Sequence, residues 1–543
     1  MHSLAQHLIQ TLRRALWLCT TTMLVVTHAS HVHAVAAQVP GDLDLSFAGG
    51  AGAIASLPIG SGGHDNLTAM ALQADGKIVL AGYCSGPTSQ DFCVARINAD
   101  GTLDTSFVGP LGNGGGKFLL DISNGSDAPS AVAIQPDGKI ILAGSCHNGA
   151  NSDFCIARLN PNGSRDSTFN GPGGAGNGFV MLPIGFSSDF ATAMALQPDG
   201  RIVLVGYCYV NNQADFCAAR LHVDGSLDAS FTGPSGTGAG KIAFSVGSAN
   251  DYAQAVALQS DGIIVIAGYC VGAMGDNDFC VVRLDRFGAF DTTFDGPSGN
   301  GNGKFLLPVG TLDDNARALL IQPDGKIVVA GNCLVSGSNY DFCAARLNSD
   351  GSLDAAFDGP SGVSNGKFLL PITAAKSDSA AALAQQPDGK LLIAGHCDNA
   401  ANADFCVTRL HLDGSLDVSF DGPGGTGNGK FLLPIGSSDD IATAMLLQAD
   451  GKIILAGDCY SGASRFCIAR LYGGPFGYKN CTMDIDGDGK VLASTDGLLL
   501  SRVALGMTGS TVLAGATSPT ATRDTWPKVR DYLINLCGMT VAP

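Results

Sequence analysis

The sequence contains no glutamate, and its 48 acidic residues are all aspartates. Glutamate favours helices whereas aspartate favours turns and caps, so this absence argues against a helical body. Lysine and arginine together number only 31, leaving a net charge of −17, which becomes −19 once Arg13 and Arg14 depart with a leader. A surface of that sign repels phosphate backbones and excludes nucleic acid as a partner. Histidine is scarce: beyond the leader only His64, His147, His222, His396 and His411 remain. No GxSxG elbow, HExxH helix or phosphate-cradling loop stands out, so no familiar catalytic frame is available. Long apolar runs are also missing, and no segment after the N-terminus can span a bilayer.

What is present begins with a leader. Arg13 and Arg14 precede the apolar stretch ALWLCTTTMLVV, and Ala34-Val35-Ala36 offers a small-x-small cleavage site. This reads as a secretory signal over residues 1–37, cut near Ala36 and Ala37, whose product is released to the cell surface, periplasm or medium.

Glycine is abundant at 74 residues, and it falls in a repeat. The Asp-Gly of QPDGKIVLAG recurs at Asp75, Asp137, Asp199, Asp261, Asp324, Asp388 and Asp450, in steps of 62 to 64 residues. Each copy reads as two hairpins. The first joins runs such as AMALQ and KIVLAGYC through an Asp-Gly turn, and the second joins FCVARLN to GTLDTSF. Both faces of these runs are apolar, as required of sheets packed between neighbours. Seven units of four short strands predict an all-β, seven-bladed β-propeller over residues 38–472. The phrase LDxSF also precedes the first complete unit, at residues 43–47, and is missing from the last unit. The N-terminal piece is therefore expected to supply the missing outer strand of the last blade and close the ring near Ala469. Whether GKFLLPIG is itself the outer strand or a crossing segment stays open at this level. On these phrases, over residues 41–472, the unit resembles the delta-60 repeat of bacterial secreted proteins. The resemblance implies a propeller-like fold and brings no assigned chemistry with it.

Fourteen cysteines fall in pairs, one pair per unit: Cys84 with Cys93, Cys146 with Cys155, Cys208 with Cys217, Cys270 with Cys280, Cys333 with Cys343, Cys397 with Cys406, and Cys459 with Cys467. Each pair brackets a hairpin, and no histidine recurs beside it to complete a zinc site, so disulfides are expected. With Cys19 in the leader, Cys481 and Cys537 are left to pair with each other.

Three charged positions recur in every unit. They are the aspartate ten residues before the turn (Asp65 in the first unit), the arginine of FCxAR (Arg96) and the aspartate of LDxSF (Asp104). A group needed in every blade serves the blade, and the arginine and LDxSF aspartate are expected to pair. The competing reading is a ring of aspartates holding cations. The freely varying loops between paired cysteines, together with the Gly-rich links, are expected on one face. An aromatic patch there, around Tyr209, Tyr269 and Tyr340, is the place for a ligand.

After a link at 473–480, residues 481–543 differ in kind. Asp484, Asp486 and Asp488, with Gly489 for the turn, the carbonyl of Lys490 and then Asp496, offer the oxygen donors that Ca²⁺ takes from one loop. Position 12, where an EF-hand carries glutamate, is Thr495. The stretch DIDGDGKVLASTDGLLLSRVALG is similar to one calcium-loop half of a dockerin module. The second half, at 525–534, reads as an amphipathic helix without such a loop. The functional expectation is a secreted, monomeric, non-enzymatic scaffold that binds a protein or glycan and carries one Ca²⁺ in its C-terminal module. The alternatives are a structural extracellular-matrix or surface protein, and a polysaccharide hydrolase or lyase built on paired aspartates.

Overall fold

The computed structural model describes residues 40–473 except 51–53, 87, 113, 172–175, 298, 300–301, 361–364, 374–375 and 424–427, and beyond them residues 485–486, 494–504, 507–519, 521–531 and 533. Seven antiparallel sheets of four strands make up the repeat region. In the first blade the strands are Asp65–Leu72, Ile78–Ser85, Gln90–Ile97 and Lys117–Leu120, paired in chain order. The first strands of neighbouring blades meet around a complete circle, so they are the innermost. This is a seven-bladed propeller.

Its stability follows from sheet-on-sheet burial. Seven apolar clusters lie between successive blades, and each draws on both neighbours. Between the third and fourth blades, for example, Val203, Phe216 and Phe231 pack against Ile264, Ile266 and Val282. The third strand Ala403–Leu410 is buried along its whole length, which explains why these strands lack polar alternation.

The outer strand is KFLL or its equivalent, while LDxSF contributes a single bridge, such as Ile97 to Leu103, before the chain turns outward. Ring closure follows the same plan with one refinement. The outer strand of the last blade is Ile54–Leu57, which pairs with Ser464–Leu471 with Ile54 opposite Ala469. The LDxSF phrase upstream adds the bridge from Leu43 to Leu471 and a backbone bond from Asp44 N–H to Arg470 O, and Gly41 and Asp42 just before it bond the backbone of Tyr472.

The Asp-Gly turns occupy one face and the cysteine loops the other. The Gly-rich segments depart from expectation, because they lie on the turn face. There Val108 N–H donates to Asn162 O in the next blade's turn, and equivalent bonds recur. The segments that reach the cysteine face are the short links after KFLL.

Beyond the ring, helices span Asp496–Ala504, Ser510–Leu513 and Trp526–Asp531. They share a small core of Ile485, Leu499, Val503, Val512, Val529 and Leu533. Among the described residues no helix is long and apolar enough to cross a membrane.

Candidate functional site

The recurring charged residues are consumed by architecture. Each FCxAR arginine donates Nε–H to an LDxSF aspartate: Arg96 to Asp104 at 2.7 Å, Arg283 to Asp291 at 2.9 Å, Arg409 to Asp417 at 2.9 Å. At the seam, Arg470 reaches Asp44 of the N-terminal piece at 2.8 Å. The same guanidinium donates to a backbone carbonyl of the following blade, as Arg158 does to Val223 O, and lies over a phenylalanine ring, as Arg96 does over Phe107 at 4.4 Å. Burial opposes ionisation of these aspartates. Hydrogen bonds from the residue two positions on, together with the arginine charge, outweigh it and hold all seven carboxyls below the ordinary range. The aspartates that open the first strands accept backbone N–H groups of the link before them, as Asp65 does from Ile59 at 2.7 Å. The expected pairing and the structural role both hold.

The seven expected disulfides all form. Cys84 bonds Cys93, Cys146 bonds Cys155, Cys208 bonds Cys217 and Cys270 bonds Cys280. Likewise Cys333 bonds Cys343, Cys397 bonds Cys406 and Cys459 bonds Cys467. Their Cα–Cα distances are 5.7 to 5.9 Å. Each is diagonal across its hairpin: Cys84 stands opposite Asp91, and Cys93 opposite Gly82. A side chain at Gly82 would put its Cβ 2.0 Å from Asn66 O, so glycine is required where the two inner strands approach. Cys481 and Cys537 lie outside the described residues.

Set against this skeleton, three positions at the cysteine end of the inner strands refuse the sevenfold pattern. One follows the opening aspartate and reads Asn66, Ala128, Phe190, Tyr252, Asn315, Ser379 and Ile441. A second, just before the first cysteine, reads Tyr83, Ser145, Tyr207, Tyr269, Asn332, His396 and Asp458, and pairs across the strands with the first. The third is the residue bulged out of the first strand in every blade: Thr68, Ser130, Thr192, Gln254, Arg317, Ala381 and Thr443. In four blades its hydroxyl donates to a carbonyl of the next inner strand, as Thr192 does to Ala253 O at 2.8 Å. Blades four to six abandon that bond.

The departures cluster. Phe190 stacks on Tyr207 at 5.1 Å, Tyr207 meets Tyr252 edge-on at 4.9 Å, and Tyr252 meets Tyr269 at 5.0 Å. Tyr209 flanks Tyr207 at 6.3 Å. Arg317 continues the arc, with its guanidinium 5.6 Å from the Tyr269 ring and Nη1 donating to Gln254 Oε1 at 3.4 Å. Asn332 Oδ1 and His396 Nδ1 are buried without a hydrogen-bond partner among the described residues. Burial, assisted by the tyrosines around it, pushes the Tyr207 phenol up to about 12. Burial also drives the His396 imidazole below its usual value, with Arg317 contributing. The arc is therefore neutral at its rings and cationic at one point. On the same face Phe186 and Met274, in the loops of blades three and four, stand 90% and 91% exposed.

Of the tyrosines named from sequence, Tyr209 and Tyr269 belong to the arc. Tyr340 makes no ring contact with it among the described residues. Phe190, Tyr207, Tyr252, Gln254, Arg317 and His396 escaped sequence reasoning, although aligning the units on their opening aspartate exposes them as the irregular positions.

Two other features lie apart from the arc. A cavity of about 440 Å³ on the turn face is lined by Arg201, Arg220, Arg286, Phe287 and Asp261, but Arg201 and Arg220 both pair with Asp228. Asp91, Asp121 and Asp127 bring one carboxylate oxygen each within 4.8 Å of one another, where Asp121 replaces the proline found after KFLL in most other units. In the C-terminal part, Asp484, Asp488 and Lys490 and the side chain of Asp496 lie outside the described residues. Asp486 is buried, and its Oδ2 accepts Ser518 N–H at 2.6 Å.

A model described as "Domain of unknown function (DUF5122) beta-propeller" matches residues 73–107, 135–169, 197–231, 259–294, 322–357, 386–420 and 448–471. The chain carries DUF5122 beta-propeller repeats. The seven matches fall one to a blade and together include the inner Asp-Gly turn, the cysteine hairpin and, in six of them, LDxSF. No curated protein matches this repeat chain in sequence. Among solved structures it is similar to a streptogramin B lyase (11% identity, TM-score 0.42, covering 77% of this chain and 97% of that one). It is also similar to Chaetomium thermophilum Sqt1 (13%, 0.38, 77% and 97%) and to a PL25 ulvan lyase bound to -[GlcA(1-4)Rha3S]- (11%, 0.45, 77% and 96%).

Proposed function

We propose that this DUF5122 propeller is a secreted, non-enzymatic binding scaffold whose ligand, a glycan or a protein, rests on the aromatic arc of the cysteine face. The observation that carries this reading is the continuous contact chain Phe190, Tyr207, Tyr252, Tyr269, Arg317, assembled only where the repeat pattern breaks. Aromatic faces bury large area at low entropic cost, and a rigid seven-bladed ring holds them in place. Seven disulfides favour an oxidising compartment, in keeping with a leader over residues 1–37. The domain plan that goes with this reading is the propeller at 38–472, a delta-60-like repeat array, then a link at 473–480 and a dockerin-like module at 481–543.

One Ca²⁺ belongs to the proposal, held by Asp484, Asp486, Asp488, the carbonyl of Lys490 and Asp496. The donor set is all oxygen, as a hard cation requires, and buried Asp486 already accepts one amide. Chelator titration followed by melting tests it: a lowered transition is expected, and it should vanish when Asp484 and Asp488 become alanine. The binding reading is tested by glycan and protein arrays with and without calcium. Capture that is lost in Tyr252→Ala and Tyr269→Ala supports it; silence in both conditions refutes it.

A further inference from the structure

We infer that the arc reads saccharides bearing isolated carboxylates, a uronate within an otherwise neutral chain, with Arg317 as the residue that selects the acid. This rests on the binding reading above and names its ligand class.

Arg317 is the only cation among the seven bulged positions, and it is exposed. The fold does not ask for it, since a threonine or serine hydroxyl at that position ties neighbouring inner strands together in four blades. No carboxylate of the described residues lies within salt-bridge distance of it, although the chain has 48 aspartates against 31 lysines and arginines. Every FCxAR arginine is neutralised by its own aspartate. Gln254 and the Tyr269 ring aim the guanidinium without cancelling its charge. Such a group is prepared for a bidentate carboxylate.

The surroundings define the rest of the ligand. Tyr207, Tyr252 and Tyr269 keep their protons, because burial raises all three phenols, so their faces offer flat, uncharged platforms for sugar rings. Asn332 Oδ1 and His396 Nδ1, both buried and without a partner among the described residues, suit sugar hydroxyls. Asp398 and Asp439 act on His396 from the same end of the ring, and the net charge is −17. A densely charged polyanion would meet that net negative field along its whole length, so widely spaced acids are favoured over contiguous ones.

The test is calorimetric titration of the full chain with three probes: a xylo-oligosaccharide carrying one glucuronate, the same oligosaccharide with its carboxyl reduced to the alcohol, and a fully acidic oligogalacturonate. The singly acidic probe is expected to bind about tenfold or more tightly than its reduced form. Arg317→Gln should erase that difference and Arg317→Lys should restore part of it, with melting curves confirming intact folds. Equal affinity for the acidic and reduced probes, a preference unchanged in Arg317→Gln, tightest binding of the oligogalacturonate, or no binding of any probe overturns the inference. Arc-dependent capture of a protein on the arrays would still leave the scaffold reading standing, so the two failures are distinguishable.

Discussion

The turn face and the cysteine face of this ring differ in how far they obey the repeat. On the turn face each blade spends the same arginine, aspartate and phenylalanine in the same way, down to the borrowed Asp44 that completes the last set. At the cysteine end the inner strands carry seven different pairs of residues at one cross-strand site, from Phe190 with Tyr207 to Ile441 with Asp458. Repetition marks what every blade needs to stand. Irregularity on an unvarying frame marks what the molecule does with it.

That contrast breaks first if the seam is not structural. Removing residues 40–57 takes away the outer strand of the last blade and the partner of Arg470, and should abolish the cooperative unfolding transition seen by circular dichroism. A sharper probe is Arg346→Ala, which leaves buried Asp354 with partly exposed Lys326 as its remaining cation and takes the donor from a carbonyl of the next blade. It should cost about 3–5 kcal/mol in denaturant melts. Opening one staple by replacing both Cys270 and Cys280 with serine should cost about 2–3 kcal/mol, since each closes a loop of roughly ten residues.

The seam also titrates. Burial, with Asp65 nearby, pushes Asp458 up to about 7, while its Oδ1 accepts Leu67 N–H of the first blade at 2.5 Å. An acid whose folded pKa exceeds its unfolded one loses stability as pH rises between the two values, so this group weakens the ring from about pH 4 to about pH 7. Asp278, raised to about 6 by burial and by Asp276 and Asp314, acts in the same direction. The LDxSF aspartates act oppositely, and their contribution is lost only as pH falls below about 4. Asp458→Asn is therefore expected to stabilise the fold at pH 8 by an amount on the order of 1–3 kcal/mol, and by less at pH 5, in denaturant melts at the two pH values.

Much of the skeleton was legible because repetition amplifies it. Seven copies of Asp-Gly fixed the blade number, spacing fixed the disulfides, and the displaced LDxSF at 43–47 announced closure. The outer strand was ambiguous, since LDxSF and KFLL both flank the third strand and only backbone pairing separates a single bridge from a ladder. The Gly-rich segments were misplaced for the same reason: the face they occupy depends on which of the two is the strand. The arc was harder to see. Its members sit on separate blades about 60 residues apart, and only the bulge in each inner strand turns Gln254 and Arg317 toward each other. Half-buried His396 looked like ordinary strand sequence because two of the charges that act on it, Arg317 of the fifth blade and Asp439 of the link to the seventh, are distant along the chain.

Two arginines of the fifth blade carry the whole contrast, Arg346 in the repeated set and Arg317 in the arc. Thermal melts of Arg346→Gln and Arg317→Gln measure it directly. Arg317→Gln is predicted to stay within about 0.5 kcal/mol of the parent while Arg346→Gln loses several kcal/mol. Equal losses, or a larger loss for Arg317→Gln, would contradict this division of roles by making the irregular arginine part of the frame.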